Sequence, residues 1–288
     1  MNTKLIKQKM KGVGNIKKIT RTMEMVSVAK MKKATQVAHA YRPYISNAMD
    51  ILARIPIRNT AHEAQVSGSI LIIMAANKGL CGGYNTQVYK SVSKYFKNIN
   101  ASSREGVTVI AIGKYAEKIA KRFTKNILYS FPKNNVSGID ARVMTREIMN
   151  RYQDKENPTS TVTIIYPHVT TGVSYAVESR QLLPYSTTHY DRDDLSTNLK
   201  RAQMMDSNVT FEPSSEEVVR ATLPLIIEAT ILAASLETIA GEHAARMMAM
   251  KTASDNAGDL LGELKLTYNN ARQAKITQEI AEISSAMA

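Results

Sequence analysis

From Leu225 to Ala288 the chain contains no proline, and Leu236, Ala240, His243, Met247, Met250, Ser254, Ala257, Leu261, Leu264, Tyr268 and Ala271 recur at alternating steps of four and three. That spacing keeps one seam of a helix turned toward a partner helix through a left-handed supercoil. A helix over this whole stretch would extend about 95 Å at 1.5 Å per residue, more than one face of a small domain can cover. The fold must therefore supply a second long helix, and the seam residues Ala240, Ser254, Ala257 and Ala271 are small enough to let it approach closely.

The first 55 residues supply the partner. Ile6, Met10, Val13, Ile16, Ile19, Met23 and Val26 form a narrow apolar stripe at steps of three and four, with no proline before Pro43. Gly12 and Gly14 interrupt it without ending it and read as places of close helix approach. Arg42-Pro43-Tyr44 should bend or punctuate the helix, and residues 57–67, after Pro56, read as a linker. The simplest pairing of the two terminal segments is antiparallel.

Between them the period changes. Ile70 to Ala76, Val107 to Ile112, Ile127 to Phe131, Val162 to Tyr166 and Ala176 to Leu183 read as strands, alternating with helical stretches Asn85 to Lys97, Lys114 to Phe123 and Asp140 to Tyr152. Strand-helix alternation implies a mostly parallel sheet covered by helices. The expected fold class is α/β: a long antiparallel coiled coil of N- and C-terminal helices with an inserted small α/β domain, Rossmann-like. The boundaries are 1–58 for the N-terminal coiled-coil helix, 68–190 for the α/β domain, 191–213 for a polar connection and 214–288 for the C-terminal coiled-coil helix. Ser214 or Ser215, followed by Glu216 and Glu217, marks the start of that last helix.

Charge is concentrated at the start. Residues 1–33 carry ten basic side chains and one acid, Glu24, out of 38 basic and 25 acidic residues in all, and the remainder reads as nearly balanced. Such a block attracts phosphates, anionic lipid or an acidic protein surface alike, or is a solvated helix face. The N-terminus lacks the pattern of a secretory signal or an organellar transit peptide, which favours a bacterial source. The longest greasy stretches, Ser69 to Ala76 and Ala229 to Leu236, fall short of the roughly 20 residues that span a bilayer, so no membrane span is expected. With Cys81 the single cysteine among 288 residues, an internal disulfide and thiol zinc clusters are excluded.

Enzyme signatures are weak. Asn77-Lys78-Gly79-Leu80-Cys81-Gly82-Gly83-Tyr84-Asn85 is glycine-rich and lies between a strand and a helix, but its spacing fits neither dinucleotide nor Walker fingerprints. It reads as a tight turn with, at most, a weak anion site near Lys78. His39, His62, His168, His189 and His243 show no metal-ligand spacing with each other or with Cys81. No nucleophile elbow or carboxylate pair stands out. The methionine clusters at 23–31 and 247–250 fit adaptable packing rather than a copper site. No cofactor and no metal are expected.

Three strings in order resemble the gamma subunit family of F-type ATP synthases. Lys18-Ile19-Thr20-Arg21-Thr22-Met23-Glu24-Met25-Val26, with Ala29 to Lys33 and Arg42-Pro43-Tyr44, is similar to its N-terminal signature, and Gly79-Leu80-Cys81-Gly82-Gly83 to its central turn. Glu242, Ala245-Arg246-Met247 and Ser254-Asp255-Asn256 lead into Ala271-Arg272-Gln273-Ala274-Lys275-Ile276-Thr277-Gln278-Glu279-Ile280, similar to its closing signature. Asn77-Lys78 stands where an acid-Arg pair is usual, Ala286-Met287 replaces a Gly-Ala, and the chloroplast-type cysteine insert is absent.

The resemblance implies a non-catalytic central-stalk rotor that couples proton flow through a membrane ring to ATP synthesis. Its expected partners are three alpha and three beta subunits, the epsilon subunit and the membrane c-ring, with no nucleic acid. The expected location is the cytoplasmic side of a bacterial cell membrane, held peripherally through the complex. Residue by residue, Lys18, Arg21, Met23, Lys30 and Arg246 would meet beta-subunit loops, as would Arg272, Gln273, Thr277 and Glu279 higher up. Ile276, Ile280, Ile283 and Met287 would fill an apolar bearing, and Arg42, Tyr44, Phe211 and Glu212 would lie at the foot, toward the membrane ring or epsilon. The alternative is a coiled-coil nucleic-acid-binding protein using residues 1–33, although few aromatics interleave with its lysines.

Overall fold

A computed structural model describes residues 3–53, 55, 68–99, 104–132, 135–154, 159–170, 174–184 and 210–287. The expected linker at 57–67 and all but the end of the polar connection at 191–213 lie outside these residues. By contacts the chain divides into two compact units, one of residues 1–29 with 246–288 and one of residues 30–245.

Within the larger unit lies a five-stranded sheet of β1 (Gly68–Met74), β2 (Val107–Ile112), β3 (Ile127–Phe131), β4 (Thr159–Val169) and β5 (Tyr175–Leu183), in the order β3-β2-β1-β4-β5. All neighbours are parallel except β4 with β5. The connecting helices are α2 (Tyr84–Asn98), α3 (Lys114–Ala120) and α4 (Gly138–Gln153), between the long helices α1 (Thr3–Ala53) and α5 (Ser215–Ala286). The expected strands and helices are all present.

The unbroken apolar run Ile70-Leu71-Ile72-Ile73-Met74 makes β1 a strand buried on both faces, and the two-residue period sorts its side chains. Ile70, Ile72 and Met74 join Met144 and Ile148 of α4 and Ile227, Ile231 and Ala234 of α5. Leu71 and Ile73 join Val88, Val92 and Phe96 of α2 and Ala116 and Ile119 of α3. Each fully buried Ile or Leu contributes about 1.5–3 kcal/mol. Gly113 closes the turn after β2 at a φ of 99°, and a methyl group there would lie 2.3 Å from the Ala75 carbonyl oxygen, so only glycine fits.

Both long helices start or continue differently from a plain reading. The Ser214 hydroxyl accepts a hydrogen bond from the Glu217 N–H at 3.2 Å, which settles the cap as Ser214, and α5 then runs through Pro224. Likewise α1 continues through Pro43 to Ala53, so the proline does not end the helix. In the larger unit the end of α1 meets the start of α5, where Ile45, Ala48 and Ile55 pack with Phe211, Val218, Val219, Leu223 and Ile226. Residues late in one helix thus meet residues early in the other, the antiparallel sense. By length and hydropathy alone part of α5 resembles a membrane span, but half of that stretch is buried inside the protein. Ile227, Ile231 and Ala234 of α5 belong to the sheet core, which accounts for its apolarity.

In the smaller unit α5 follows its expected seam, with Met250, Ser254 and Ala257 buried and Leu261, Leu264, Tyr268 and Ala271 half-buried. The stripe expected on α1 is displaced. Ile16, Ile19 and Val26 are 55%, 59% and 49% exposed, whereas Thr20 and Ser27 are buried. The inward face runs Ile6, Met10, Val13, then Thr20 and Ser27, keeping a seven-residue repeat that the apolar residues leave. Thr20 and Ser27 can be buried because each hydroxyl donates to a carbonyl one turn back, Thr20 to Ile16 at 3.0 Å and Ser27 to Met23 at 2.7 Å. Gly258 of α5 faces Lys17 of α1, whose Nζ would lie 2.9 Å from a methyl group at that position.

Candidate functional site

The basic N-terminal helix presents Lys18 and Lys30 to solvent, with Met23 half-buried. Arg21 is not a bare cation: its Nη1 lies 3.0 and 2.8 Å from the two carboxylate oxygens of Glu24, the single acid of the block. Arg246 is 6% exposed, inside the chain rather than on its surface. A second basic stretch was not legible from overall charge. Residues 76–131 hold ten basic side chains against Glu105 and Glu117, all ten of them exposed, so the chain beyond residue 33 is balanced only on average.

At the far end of α5, Arg272, Gln273, Thr277 and Glu279 are exposed. The Thr277 hydroxyl donates to the Gln273 carbonyl at 3.0 Å, and Glu279 pairs with Lys275 at 3.4 Å. Ile276, Ile280, Ile283 and Met287 are exposed by 44%, 62%, 61% and 85%. Ile276, Ile280 and Ile283, at steps of four and three, thus share one uncovered helix face, and Met287 follows just past the end of α5. Of the expected foot residues, Tyr44 and Glu212 are exposed, and Phe211 is half-buried against Ile55 and Ile226. The Arg42 side chain lies outside the described residues.

The glycine-rich loop after β1 is built against α5. The Asn77 N–H donates to Oε2 of Glu242 at 3.1 Å, and the Tyr84 hydroxyl donates to the Thr238 carbonyl at 2.8 Å. Cys81 is 2% exposed; its thiol donates to the Lys78 carbonyl at 3.7 Å and accepts from Asn85 at 3.4 Å. Burial raises the Tyr175 hydroxyl above the usual tyrosine range, and a charged Cys81 nearby would raise it further. Leu80, 63% exposed, is held at a φ of 61°, a conformation costing a non-glycine residue roughly 1–2 kcal/mol. Sequence reasoning gave Glu242 only as part of the closing string, without this contact, and missed Thr238; the one local signal was a Gly-Glu pair inside an otherwise small and apolar helical run. Among the described residues no group of three or more His, Cys, Asp or Glu side chains is placed to hold a metal ion.

A family model described as ATP synthase matches residues 2–288. The ATP synthase gamma chain of Albidiferax ferrireducens is 33% identical over 297 residues, covering 99% of this chain and 97% of the relative. The chain belongs to the ATP synthase gamma family. A second gamma chain, from Roseiflexus castenholzii, is 32% identical over 302 residues, covering 100% and 98%. A chain in the Euglena gracilis mitochondrial ATP synthase structure of OSCP, F1 and c-ring has the same fold, with a TM-score of 0.67 at 19% identity, covering 99% of this chain and 93% of that one. As a gamma chain it is a non-catalytic part of a membrane-associated complex, and its sheet flanked by two long helices is the gamma fold.

Proposed function

We propose that this chain is the central-stalk rotor of a proton-translocating F-type ATP synthase, coupling ion flow through a membrane c-ring to ATP synthesis in a ring of three alpha and three beta subunits. The observation that carries the reading is similarity to gamma chains along essentially the whole length. The chain makes no covalent bonds itself. It turns with the c-ring and offers a different face to each beta subunit, and a rotor can bias three equal sites only by binding their conformations unequally.

In this reading Lys18, Arg21, Met23 and Lys30 each face beta-subunit loops, Arg246, being buried, acts from inside the chain and not by direct contact, and Arg272, Gln273, Thr277 and Glu279 make the upper contacts. The uncovered Ile276, Ile280, Ile283 and Met287 fill an apolar bearing. Arg42, Tyr44, Phe211 and Glu212 belong to the foot, toward the c-ring or epsilon, with Phe211 anchoring the foot from inside. The complex sits peripherally on the cytoplasmic face of a bacterial membrane.

Reconstitution tests this. Purified alpha and beta subunits of the same organism, assembled with and without the chain, should form an active, stable ATPase only when it is present. Equal activity and assembly in its absence would contradict the reading.

A further inference from the structure

β1 has a parallel neighbour on each side, β2 and β4, and the connections leave in opposite directions, so a crevice opens at the carboxyl ends of these strands. In doubly wound folds that crevice is where a ligand binds, with the loop after the first strand taking its anionic group. Here the N–H of Asn77 in that loop donates to a carboxylate of the chain's own long helix, Glu242. We propose that α5 occupies the fold's ligand position, and that the loop from Asn77 to Tyr84 is a clasp carrying torque between the α/β domain and α5, with Glu242 as its positioning residue. This inference rests on the rotor reading above.

Three observations support a clasp. The bonds are directional, and their partners on α5 are buried: Glu242 is 4% exposed, beside a half-buried Asn77, while Tyr84 and Thr238 are 0% exposed, and Thr238 also donates to the sulfur of Met74 at 3.6 Å. The loop packs on this part of α5, since a methyl group on Gly241 would stand in ordinary contact with the Tyr84 ring at 3.5 Å and with Tyr175 at 3.7 Å. The contacts are also placed for the task. They end at Ala245, which packs with Ala76, Cys81 and Tyr84, and Ala245 is the last α5 residue of its unit. The apolar contacts of Ile227 and Ile231 with the sheet hold the helix by close packing. The hydrogen bond to the buried Glu242 side chain adds a directed tie that rotation of the helix about its axis would break.

The test uses the complete complex in sealed vesicles, measuring ATP hydrolysis and proton pumping together. Hydrolysis needs the shaft inside the ring, whereas pumping needs torque to reach the foot. Glu242→Ala should lower protons pumped per ATP by about twofold or more while hydrolysis stays near wild type, and Glu242→Gln, which keeps an acceptor, should restore the ratio. An unchanged ratio in Glu242→Ala, or an equal loss in Glu242→Gln, overturns the clasp. A wild-type complex that hydrolyses ATP without pumping overturns the rotor reading and the clasp with it. Should Glu242→Ala fail to assemble, amide exchange on the full chain decides: the Asn77 N–H should be protected in the wild type and lose about tenfold or more of that protection in the variant, with β1 unchanged. A wild-type Asn77 amide exchanging as fast as an open loop overturns the clasp.

Discussion

The phenol of Tyr84 donates a 2.8 Å hydrogen bond to the backbone carbonyl of Thr238, 154 residues along the chain, at a point where neither residue meets solvent. It ties the first turn of α2 to α5. Tyr84→Phe removes only the hydroxyl, and a carbonyl inside a helix keeps its own helical partner. The loss should be about 1 kcal/mol, or a fall of about 2–4 °C in melting temperature for a chain of this size. Calorimetry checks it, and an unchanged midpoint would mean that the bond contributes nothing.

Gly113 should tolerate no side chain. A methyl group 2.3 Å from the Ala75 carbonyl oxygen would force the ends of β1 and β2 apart, in addition to the strain of its positive φ. Gly113→Ala is expected to cost about 3 kcal/mol or more, measurable as a large drop in soluble yield and melting temperature.

Leu80 should behave in the opposite way. Its side chain is mostly exposed and its backbone is left-handed, so Leu80→Asn should be at least as stable as wild type, and Leu80→Val less stable by about 1 kcal/mol. A ranking with Val above Asn in thermal unfolding would refute the strain argument.

The start of α4 carries a pH-dependent cap. The Ser137 hydroxyl and N–H both donate to the Asp140 carboxylate, at 2.6 and 3.0 Å, and the hydroxyl bond first, then the backbone bond, holds Asp140 below the usual aspartate range. A depressed folded-state value means stability present above the unfolded value and lost as pH falls through the folded one. Asp140→Ala should therefore cost about 0.5–1 kcal/mol at neutral pH, and less as pH drops below the ordinary aspartate value. Stability compared at neutral and acid pH checks the sign.

At the tip, Ile280→Asp should leave the melting temperature of the isolated chain unchanged, because Ile280 is 62% exposed. In the reconstituted complex the same change places a carboxylate where the account requires an apolar bearing, and should lower ATPase activity several-fold. Full activity would remove the tip from the proposed contacts.

How much of this was legible followed from the strength of the periodic signal. Strands such as Ile70 to Met74 announce themselves because burial on both faces demands continuous apolar residues. The α5 seam from Met250 to Ala271 was readable because its heptads hold. On α1 the same method failed from Ile16 onward: the buried seam uses Thr20 and Ser27, whose hydroxyls are satisfied within their own helix, while Ile16, Ile19 and Val26 turn outward. Periodicity follows greasy residues, and there the greasy residues are not the packed ones. The contacts of Glu242 with Asn77 and of Tyr84 with Thr238 join positions more than 150 residues apart, and no local pattern encodes them.

The central claim is that this chain turns inside a ring of alpha and beta subunits, and direct observation of rotation tests it most closely. Cys81 is buried and bonded, so the probe belongs on a cysteine introduced at the exposed Lys118 of α3, with the ring fixed to a surface. Under ATP the account requires unidirectional rotation with three pauses per turn, abolished when ATP is withheld. A complex that hydrolyses ATP at full rate while the probe stays fixed would contradict it.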